Sequence, residues 1–228
     1  MQIIPVSGDI RDIYAGDIPE LVWATGPVSY EYHFADRDLF DAIVLGSWNR
    51  DGSLFAADAT TVAIEDNELI GIEIGMPGSE YRIRQNALGP VWQDLLAADK
   101  VDPSDITGVL KRSERASWLN PALNDDTYYV HELSVKPGFR GNRVGYQLIQ
   151  NAIANAREQG FAKLQLDVLS DNPAVNFYRA IGLELLAETR APDPTAFGPP
   201  EYRMGLPYPK SAAAPLWQNS VRASRGIP

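Results

Sequence analysis

Residues 128–183 read YYVHELSVKPGFRGNRVGYQLIQNAIANAREQGFAKLQLDVLSDNPAVNFYRAIGL, and this stretch decides the fold. It predicts a strand, a turn, a helix, a second strand and a short helix with almost no linkers. Residues 128–135 are rich in β-branched and aromatic side chains and stop at Lys136-Pro137-Gly138. That pattern predicts a strand that ends in a turn.

A turn rich in glycine and arginine, residues 140–145, follows this strand. Apolar residues then recur at helical spacing until Gly160: Val144, Leu148, Ile149, Ala152, Ile153 and Ala156. The free N–H groups at a helix N-terminus carry partial positive charge, and small residues let a phosphate come close to them. The turn is therefore predicted to bind a phosphate-bearing cofactor.

Two common nucleotide sites compete with this interpretation. A Rossmann site requires GxGxxG and a Walker loop requires GxxxxGK[ST], and neither spacing occurs in the turn. Asp167 stands where a Rossmann site would have its ribose-binding acid, but the glycines of such a site are missing.

The second half of the stretch predicts a half-buried strand and a capped helix. Residues 163–169 alternate apolar and polar side chains, as a strand with one buried face does. Residues 170–173 combine helix-capping residues with a proline suited to a first helical turn. Apolar residues follow at i, i+3, i+4 and i+7 before Gly182: Ala174, Phe177, Tyr178 and Ile181.

Together, LxVxPxxRGxxxG at 133–145 and NxAxxFYxxxG at 172–182 resemble the GNAT acyl-CoA N-acyltransferase superfamily. The pair of motifs is far more specific than either alone. The resemblance implies an α/β (α+β) fold, with a mixed, mostly antiparallel central sheet that is splayed at the cofactor site and flanked by helices. It also implies acetyl-CoA as co-substrate, with no metal.

The resemblance assigns the cofactor to three segments. The backbone of the first strand pairs with pantetheine, the turn holds the pyrophosphate, and the short helix completes the site. The residues implied are Leu133, Ser134, Val135, Arg140, Gly141, Asn142, Arg143, Val144, Gly145, Asn172, Phe177 and Tyr178.

Attack of an amine on a thioester needs a neutral amine, an oxyanion donor and a proton for the thiolate. The resemblance implies the backbone N–H of Leu133 as the donor and Tyr178 as the general acid. Glu132 is the candidate base, directly or through water. The alternatives are a core tyrosine at 178 and a solvated or salt-bridged glutamate at 132.

His131 precedes this candidate base on the strand. Neighbouring strand residues point to opposite faces, so His131 and Glu132 are expected to lie apart. We expect His131 to be partly buried with its hydrogen bonds made. The chain has two histidines, His33 and His131, and no cysteine, so the sequence predicts no metal site.

The turn departs from the family pattern at Arg143, where glycine is usual. A positive φ would strain an arginine, whereas an ordinary helical backbone would leave it free to pair with a CoA phosphate. We expect the helical backbone, because the helix is about to begin. Two milder departures are Asp171, where the family often has asparagine, and Leu183, where it has an aromatic residue.

Composition restricts the partners. The chain has 228 residues, 45% of them hydrophobic, and a net charge of −10, which disfavours nucleic acid. No apolar run approaches ~18 residues and the N-terminus lacks an export pattern, so we expect a cytoplasmic protein that avoids membranes. The expected acceptor is a small-molecule or peptide amine, and a homodimer is possible.

The remaining residues predict the framework of one domain, 1–206. Strands are expected at 1–7, 60–64, 69–74 and 201–206, and a helix at 38–45. Tyr30, Tyr32 and Phe34 either line the acceptor side or belong to the core.

Residues 77–126 are interpreted as an insertion with helices at 91–98 and 103–113. This insertion carries Arg82, Arg84, Trp92 and Trp118, and forms either a wall of the acceptor pocket or an oligomer contact. Residues 207–228 are a Pro/Ala-rich tail with Trp217 as its large aromatic residue.

The sequence therefore predicts an N-acetyltransferase that moves an acetyl group from acetyl-CoA to a primary amine. The alternative is a non-catalytic module of the same fold that binds acyl-CoA as a sensor or docking domain.

Overall fold

The computed structural model describes residues 1–116, 119, 121–191 and 198–208. Within these residues, seven strands form one sheet in the order β1-β2-β3-β4-β5-β7-β6, and every neighbouring pair is antiparallel except β4 and β5. This confirms the predicted mixed, mostly antiparallel sheet. The strands are β1 Gln2–Pro5, β2 Thr60–Glu65, β3 Glu68–Pro77, β4 Thr127–Val135, β5 Lys163–Leu169, β6 Glu184–Thr189 and β7 Glu201–Pro207.

Helices cover the sheet. In the described residues they are α1 Asp9–Tyr14, α2 Ile18–Trp23, α3 Pro27–Phe34, α4 Arg37–Trp48, α5 Gly78–Asn86, α6 Leu88–Ala97, α7 Pro103–Ala116, α8 Val144–Glu158 and α9 Ala174–Ala180. The predicted helices at 38–45, 91–98, 103–113 and after 144 are confirmed. Sequence periodicity missed α1, α2, α3, α5 and β6, because these elements bury few apolar side chains or are short; α5, for instance, buries only Gly78 and Arg84.

Two main groups of buried side chains hold the layers together. One joins α2, α3, α4 and α6 to β2 and β3, with Phe40 and Trp48 fully buried at its centre. The other joins α8 and α9 to β4, β5 and β7. Helix α8 buries the six residues that its apolar periodicity predicts: Val144, Leu148, Ile149, Ala152, Ile153 and Ala156.

The centre of the sheet is irregular at β4. Residues Thr127–Val130 pair with Lys163–Leu166 of β5, but β4 continues to Val135 and β5 to Leu169 without further pairing between them. On its other side β4 carries a β-bulge, because Ile74 of β3 lies opposite Glu132 while Gly75 lies opposite Val130. His131 is the extra residue. The sheet is thus splayed between β4 and β5, as the family resemblance implied.

The close packing of β4 and α8 around Gly71 of β3 can be tested by substitution. A Cβ at this position would lie 2.8 Å from the backbone oxygen of Ser134 and 3.1 Å from Cδ1 of Leu148. Backbone cannot move aside as a side-chain tip can, so Gly71→Ala should lower the free energy of unfolding by about 1–3 kcal/mol in urea denaturation.

Gly16→Ala serves as the control for this change. Nothing lies within 4 Å of a Cβ at Gly16, its φ is not positive, and alanine restricts the unfolded chain more than glycine does. Its stability should be unchanged or higher. Equal stability of Gly71→Ala and the parent would contradict the close packing of β4 and α8 around Gly71.

Candidate active site

A cleft of about 1910 Å³ opens at the gap between β4 and β5. The turn before α8 and residues of α3, α5, α7 and α9 also line it. Pockets for one small ligand usually enclose about 300–1,000 Å³, so this cleft has room for two substrates.

The backbone of β4 faces the gap at Leu133 and Val135. The N–H of Lys136 donates to the carbonyl of Ile70 on β3 at 2.9 Å. Backbone groups alternate in direction along a strand, so those of Leu133 and Val135 point away from β3 and toward the gap. The two residues to which the family resemblance assigns pantetheine therefore present their backbone to the cleft. Ser134 lies between them and is buried.

The turn of residues 140–145 leads into α8 as predicted. Gly141 has φ 84°, and the first helical residue is Val144. A Cβ at Gly145 would meet only Cγ2 of Val135, at an ordinary 3.5 Å, so this position is open. Arg140 donates from Nε to the carbonyl oxygen of Val135 at 3.1 Å, which brings its guanidinium to the mouth of the gap. Asn142 is exposed in the same turn.

The expectation of a helical backbone at Arg143 is wrong. This residue has φ 64° and ψ 12°, in the left-handed region, and the helix begins one residue later. Left-handed backbone costs a residue with a side chain about 1–2 kcal/mol, because Cβ approaches the following carbonyl oxygen. The glycine usual in the family would avoid that cost. The arginine side chain is exposed at the cleft.

The short helix α9 places its two aromatic residues on the cleft. Its start is capped by Asn172, whose Oδ1 accepts the N–H of Ala174 at 2.9 Å. Phe177 and Tyr178 line the cleft with their ring centroids 5.3 Å apart. The buried residues of α9 are Val175 and Tyr178, so the buried face includes Val175, which the sequence pattern did not predict.

Glu132 is a buried carboxyl group in the cleft wall. Its side chain is 2% exposed, which excludes the solvated alternative. The hydroxyls of Thr25 and Tyr30 hydrogen-bond to its Oε2 and Oε1 respectively. Burial raises the pKa of Glu132 to about 8, although the two hydroxyls act against that rise.

The expected separation of His131 and Glu132 is also wrong. Nε2 of His131 lies 3.3 Å from Oε1 of Glu132. The β-bulge at His131 breaks the strict alternation of the strand, so both side chains reach one side of it. Burial lowers the pKa of His131 to about 4, and the ring is neutral at ordinary pH. Its Nε2 is buried without a hydrogen bond, so the expectation of a satisfied histidine fails as well.

Tyr178 reaches the cleft with its phenol protonated. Its side chain lies in the core and the residue is 7% exposed. Burial raises the pKa of this phenol, and the negative charge of Glu132 raises it further. Tyr178 therefore keeps its proton under conditions in which Glu132 can lose its own.

Asp167 is a structural residue here. Its carboxylate accepts from Nε and Nη2 of Arg203, the latter at 2.7 Å, and from the hydroxyl of Tyr129 at 3.0 Å. Both side chains of this ion pair are about 5% exposed. The pair occupies the carboxylate, so it is not placed to bind a ribose.

The sequence does not single out Thr25, and it places Tyr30 only on the acceptor side or in the core. The two residues lie more than 100 positions before Glu132 and belong to no motif, so only the fold brings them to it. In the predicted insertion, Arg82 lines the cleft. Arg84 does not, because it is buried against Asp58 and Glu80.

Several expectations lie outside the described residues, namely Trp118, Trp217 and the tail from 209 onward. In the described part of the chain, no group of three His, Cys, Asp or Glu side chains is arranged to hold a metal ion. None of the helices described is both long and apolar enough to cross a membrane.

Comparison with known proteins supports the same fold. The sequence model of the Acetyltransferase (GNAT) family matches residues 101–183. An uncharacterized N-acetyltransferase of Methanocaldococcus jannaschii is 33% identical over 69 residues, which span 30% of this chain and 30% of that protein.

Solved structures match over nearly the whole chain. An N-acetyltransferase from Staphylococcus aureus Mu50 has a TM-score of 0.67 at 16% identity, covering 90% of this chain and 100% of its own. A second acetyltransferase has a TM-score of 0.66 at 17% identity, covering 91% and 99%. At these identities the likeness shows the fold, and the resemblance to the GNAT superfamily is supported by the family model over residues 101–183.

The left-handed backbone of Arg143 predicts that glycine at this position would stabilise the protein. Arg143→Gly removes the cost of the left-handed conformation and should raise the free energy of unfolding by about 0.5–1 kcal/mol in urea denaturation. Asn142→Gly is the matched control, since Asn142 is exposed in the same turn with an ordinary φ. That change should lower stability, because glycine loses more chain entropy on folding. An equal loss of stability in Arg143→Gly and Asn142→Gly would contradict the left-handed backbone at Arg143.

Proposed function

We propose that this chain, whose residues 101–183 match the sequence model of the Acetyltransferase (GNAT) family, transfers an acetyl group from acetyl-CoA to a primary amine by direct attack. The observation that carries the proposal is the gap between β4 and β5. There the free backbone of Leu133, the buried carboxyl of Glu132 and the protonated phenol of Tyr178 line one cleft.

The cofactor half of the cleft suits a long, phosphate-bearing thioester. The N-terminus of α8 offers N–H groups that the helix leaves unpaired, and Arg140 and Arg143 add positive charge beside them. Pantetheine would pair with the backbone of Leu133 and Val135. The guanidinium of Arg140, now on the carbonyl of Val135, would turn to a phosphate when the cofactor enters.

Glu132 is suited to remove the proton of the incoming amine. An amine is protonated near neutral pH and must lose a proton before it can attack. A carboxylate with a pKa of about 8 is a stronger base than an ordinary glutamate and lies closer to the pKa of an amine. The nitrogen then forms its bond to the thioester carbon, and the carbonyl oxygen takes up negative charge that the N–H of Leu133 would stabilise.

Tyr178 is suited to complete the reaction. The carbon–sulfur bond breaks as the carbonyl re-forms, and the departing thiolate takes the phenolic proton. The nitrogen gives up its remaining surplus proton, which restores the phenol. The products are an amide and free CoA.

The acceptor is proposed to be a small-molecule or peptide amine. Its pocket is formed by segments without a motif, including α3, α5 and α7. The net charge of −10 favours a cationic acceptor over a phosphate-bearing one.

Cofactor binding can be tested at Gly145. Gly145→Asp places a carboxylate at the start of α8, where the pyrophosphate would lie, and adds repulsion to bulk. Calorimetry should show acetyl-CoA binding at least tenfold weaker, or about 1.4 kcal/mol. Gly145→Asn introduces a side chain of the same shape without the charge, so it should weaken acetyl-CoA binding less than Gly145→Asp does. Unchanged binding by a folded Gly145→Asp variant would show that the cofactor does not bind at this turn.

The acid is tested by Tyr178→Phe, which removes the hydroxyl and keeps the ring. With an acceptor found by screening amines, kcat should fall about 10²-fold or more while the KM for acetyl-CoA stays within a few-fold. The defect should shrink with a donor whose thiol is more acidic, because that thiolate needs less help to leave. Equal defects with both donors, or none, would leave Tyr178 a core residue and favour the non-catalytic acyl-CoA-binding module.

A further inference from the structure

Two hydroxyl groups hold the carboxyl of Glu132, one on each oxygen. Thr25 follows the end of α2 and contacts Oε2, while Tyr30 lies on α3 and contacts Oε1. Both residues line the cleft. Neither is near Glu132 in sequence, so α2 and α3 must be docked on β4 for the carboxyl to be held.

The Thr25 hydroxyl has two partners that compete for its one proton. Its Oγ1 lies 2.7 Å from the carbonyl oxygen of Val22, an acceptor, and is also in contact with Oε2 of Glu132. A hydroxyl donates one hydrogen and accepts others. When Thr25 donates to Val22, Oε2 can bond to it only if Glu132 itself carries the proton. When Glu132 is ionised, Thr25 must turn its proton from Val22 to Oε2.

The carbonyl of Val22 can release Thr25 without being left unpaired. It also accepts the backbone N–H of Thr25 at 3.1 Å and that of Ala24. A buried carbonyl that keeps a backbone partner does not bear the cost of an unmade hydrogen bond. The hydroxyl of Thr25 is therefore free to follow the charge of Glu132.

We propose that Thr25 and Tyr30 are positioning residues that set the proton affinity of Glu132, with Thr25 switching its single proton between the carbonyl of Val22 and the carboxylate. The proposal rests on the proposed role of Glu132 as the base. When the amine gives its proton to Glu132, the new O–H donates to Oγ1 of Thr25, whose own proton returns to Val22. No proton leaves Thr25, and the network is satisfied in both states.

The other titratable groups around Glu132 do not supply this control. His131 on β4 is neutral at ordinary pH because burial lowers its pKa. Tyr81 on α5 and Tyr178 on α9 are within electrostatic range of Glu132, and burial raises the pKa of both phenols. Tyr30 likewise keeps its proton. The groups left to set the proton affinity of Glu132 are thus the two hydroxyls bonded to it.

The two hydroxyls should differ in their effect. Tyr30 donates to Oε1, and a donor stabilises the ionised carboxylate more than the neutral acid. Its loss should raise the pKa of Glu132. Thr25 serves both states, as donor to the carboxylate and as acceptor from the acid. Loss of the Thr25 hydroxyl should therefore raise the pKa of Glu132 less than loss of the Tyr30 hydroxyl does.

The test follows the carboxyl carbon of Glu132 by NMR in protein labelled at the glutamate carboxyl, from pH 5 to pH 10. Glu132→Gln identifies the signal by removing it, which separates it from the buried Glu73 and Glu201. Tyr30→Phe should move the titration midpoint of Glu132 up by about one pH unit or more, the size expected for loss of a hydrogen bond to a charged group. Thr25→Val should move the midpoint up by less. Thr25→Ser keeps the hydroxyl and should leave the midpoint at the parent value.

Tyr14→Phe is the matched control for the lost phenol. Its hydroxyl donates to the carbonyl of Asn67 in an exposed part of the chain, so the Glu132 midpoint should not move. An unmoved midpoint in Tyr30→Phe, or a shift in Thr25→Val as large as in Tyr30→Phe, would overturn the proposal.

The pH dependence of activity distinguishes a failure of this proposal from a failure of the proposed function. An ionised base makes kcat/KM rise with pH through the pKa of Glu132, so the acidic limb should move upward in Tyr30→Phe together with the NMR midpoint. If the midpoint moves and the limb does not, the two hydroxyls still set the proton affinity of Glu132, but Glu132 is not the base.

Discussion

The structure depends on the loss of pairing between β4 and β5 after Val130. Up to that point the two strands are parallel neighbours at the centre of the sheet, and beyond it β4 remains bound to β3 alone. Backbone N–H and C=O groups that leave a sheet must find other partners. The backbone of Leu133 and Val135 is therefore an edge inside the protein, ready to pair with an extended ligand, and the cleft follows the gap.

The β-bulge at His131, on the β3 side of β4, is a second irregularity at the centre of the sheet. A regular strand would send His131 and Glu132 to opposite faces, whereas the extra residue brings both to one wall. There the carboxyl is buried and meets the hydroxyls of Thr25 and Tyr30. Burial raises the pKa of Glu132 toward that of an amine and raises the pKa of Tyr178 as well, so one group is poised to gain a proton while the other retains its own.

The turn before α8 combines a structural cost with a local charge. The chain is acidic overall, yet Arg140 and Arg143 stand together where α8 presents its N-terminus. Arg143 occupies a left-handed position that glycine would adopt without strain. Strain of this kind persists only where the surrounding structure imposes it, and such positions cluster at functional sites.

The sequence by itself determined the elements whose signals are local. The periodicity of α8, the alternation of β5, the glycine turn and the cap at Asn172 each depend on neighbours within a few residues, so 128–183 could be interpreted directly. The two motifs also placed Tyr178 and the gap-facing strand on one site. Only the tertiary structure decided the environment of Glu132, since the bulge depends on the register with β3, and Thr25 and Tyr30 lie more than 100 residues away in the sequence. The backbone of Arg143 was likewise decided by how the turn joins β4 to a helix packed on the sheet. Local propensity describes single elements, whereas proton affinity and backbone strain are set by what those elements are packed against.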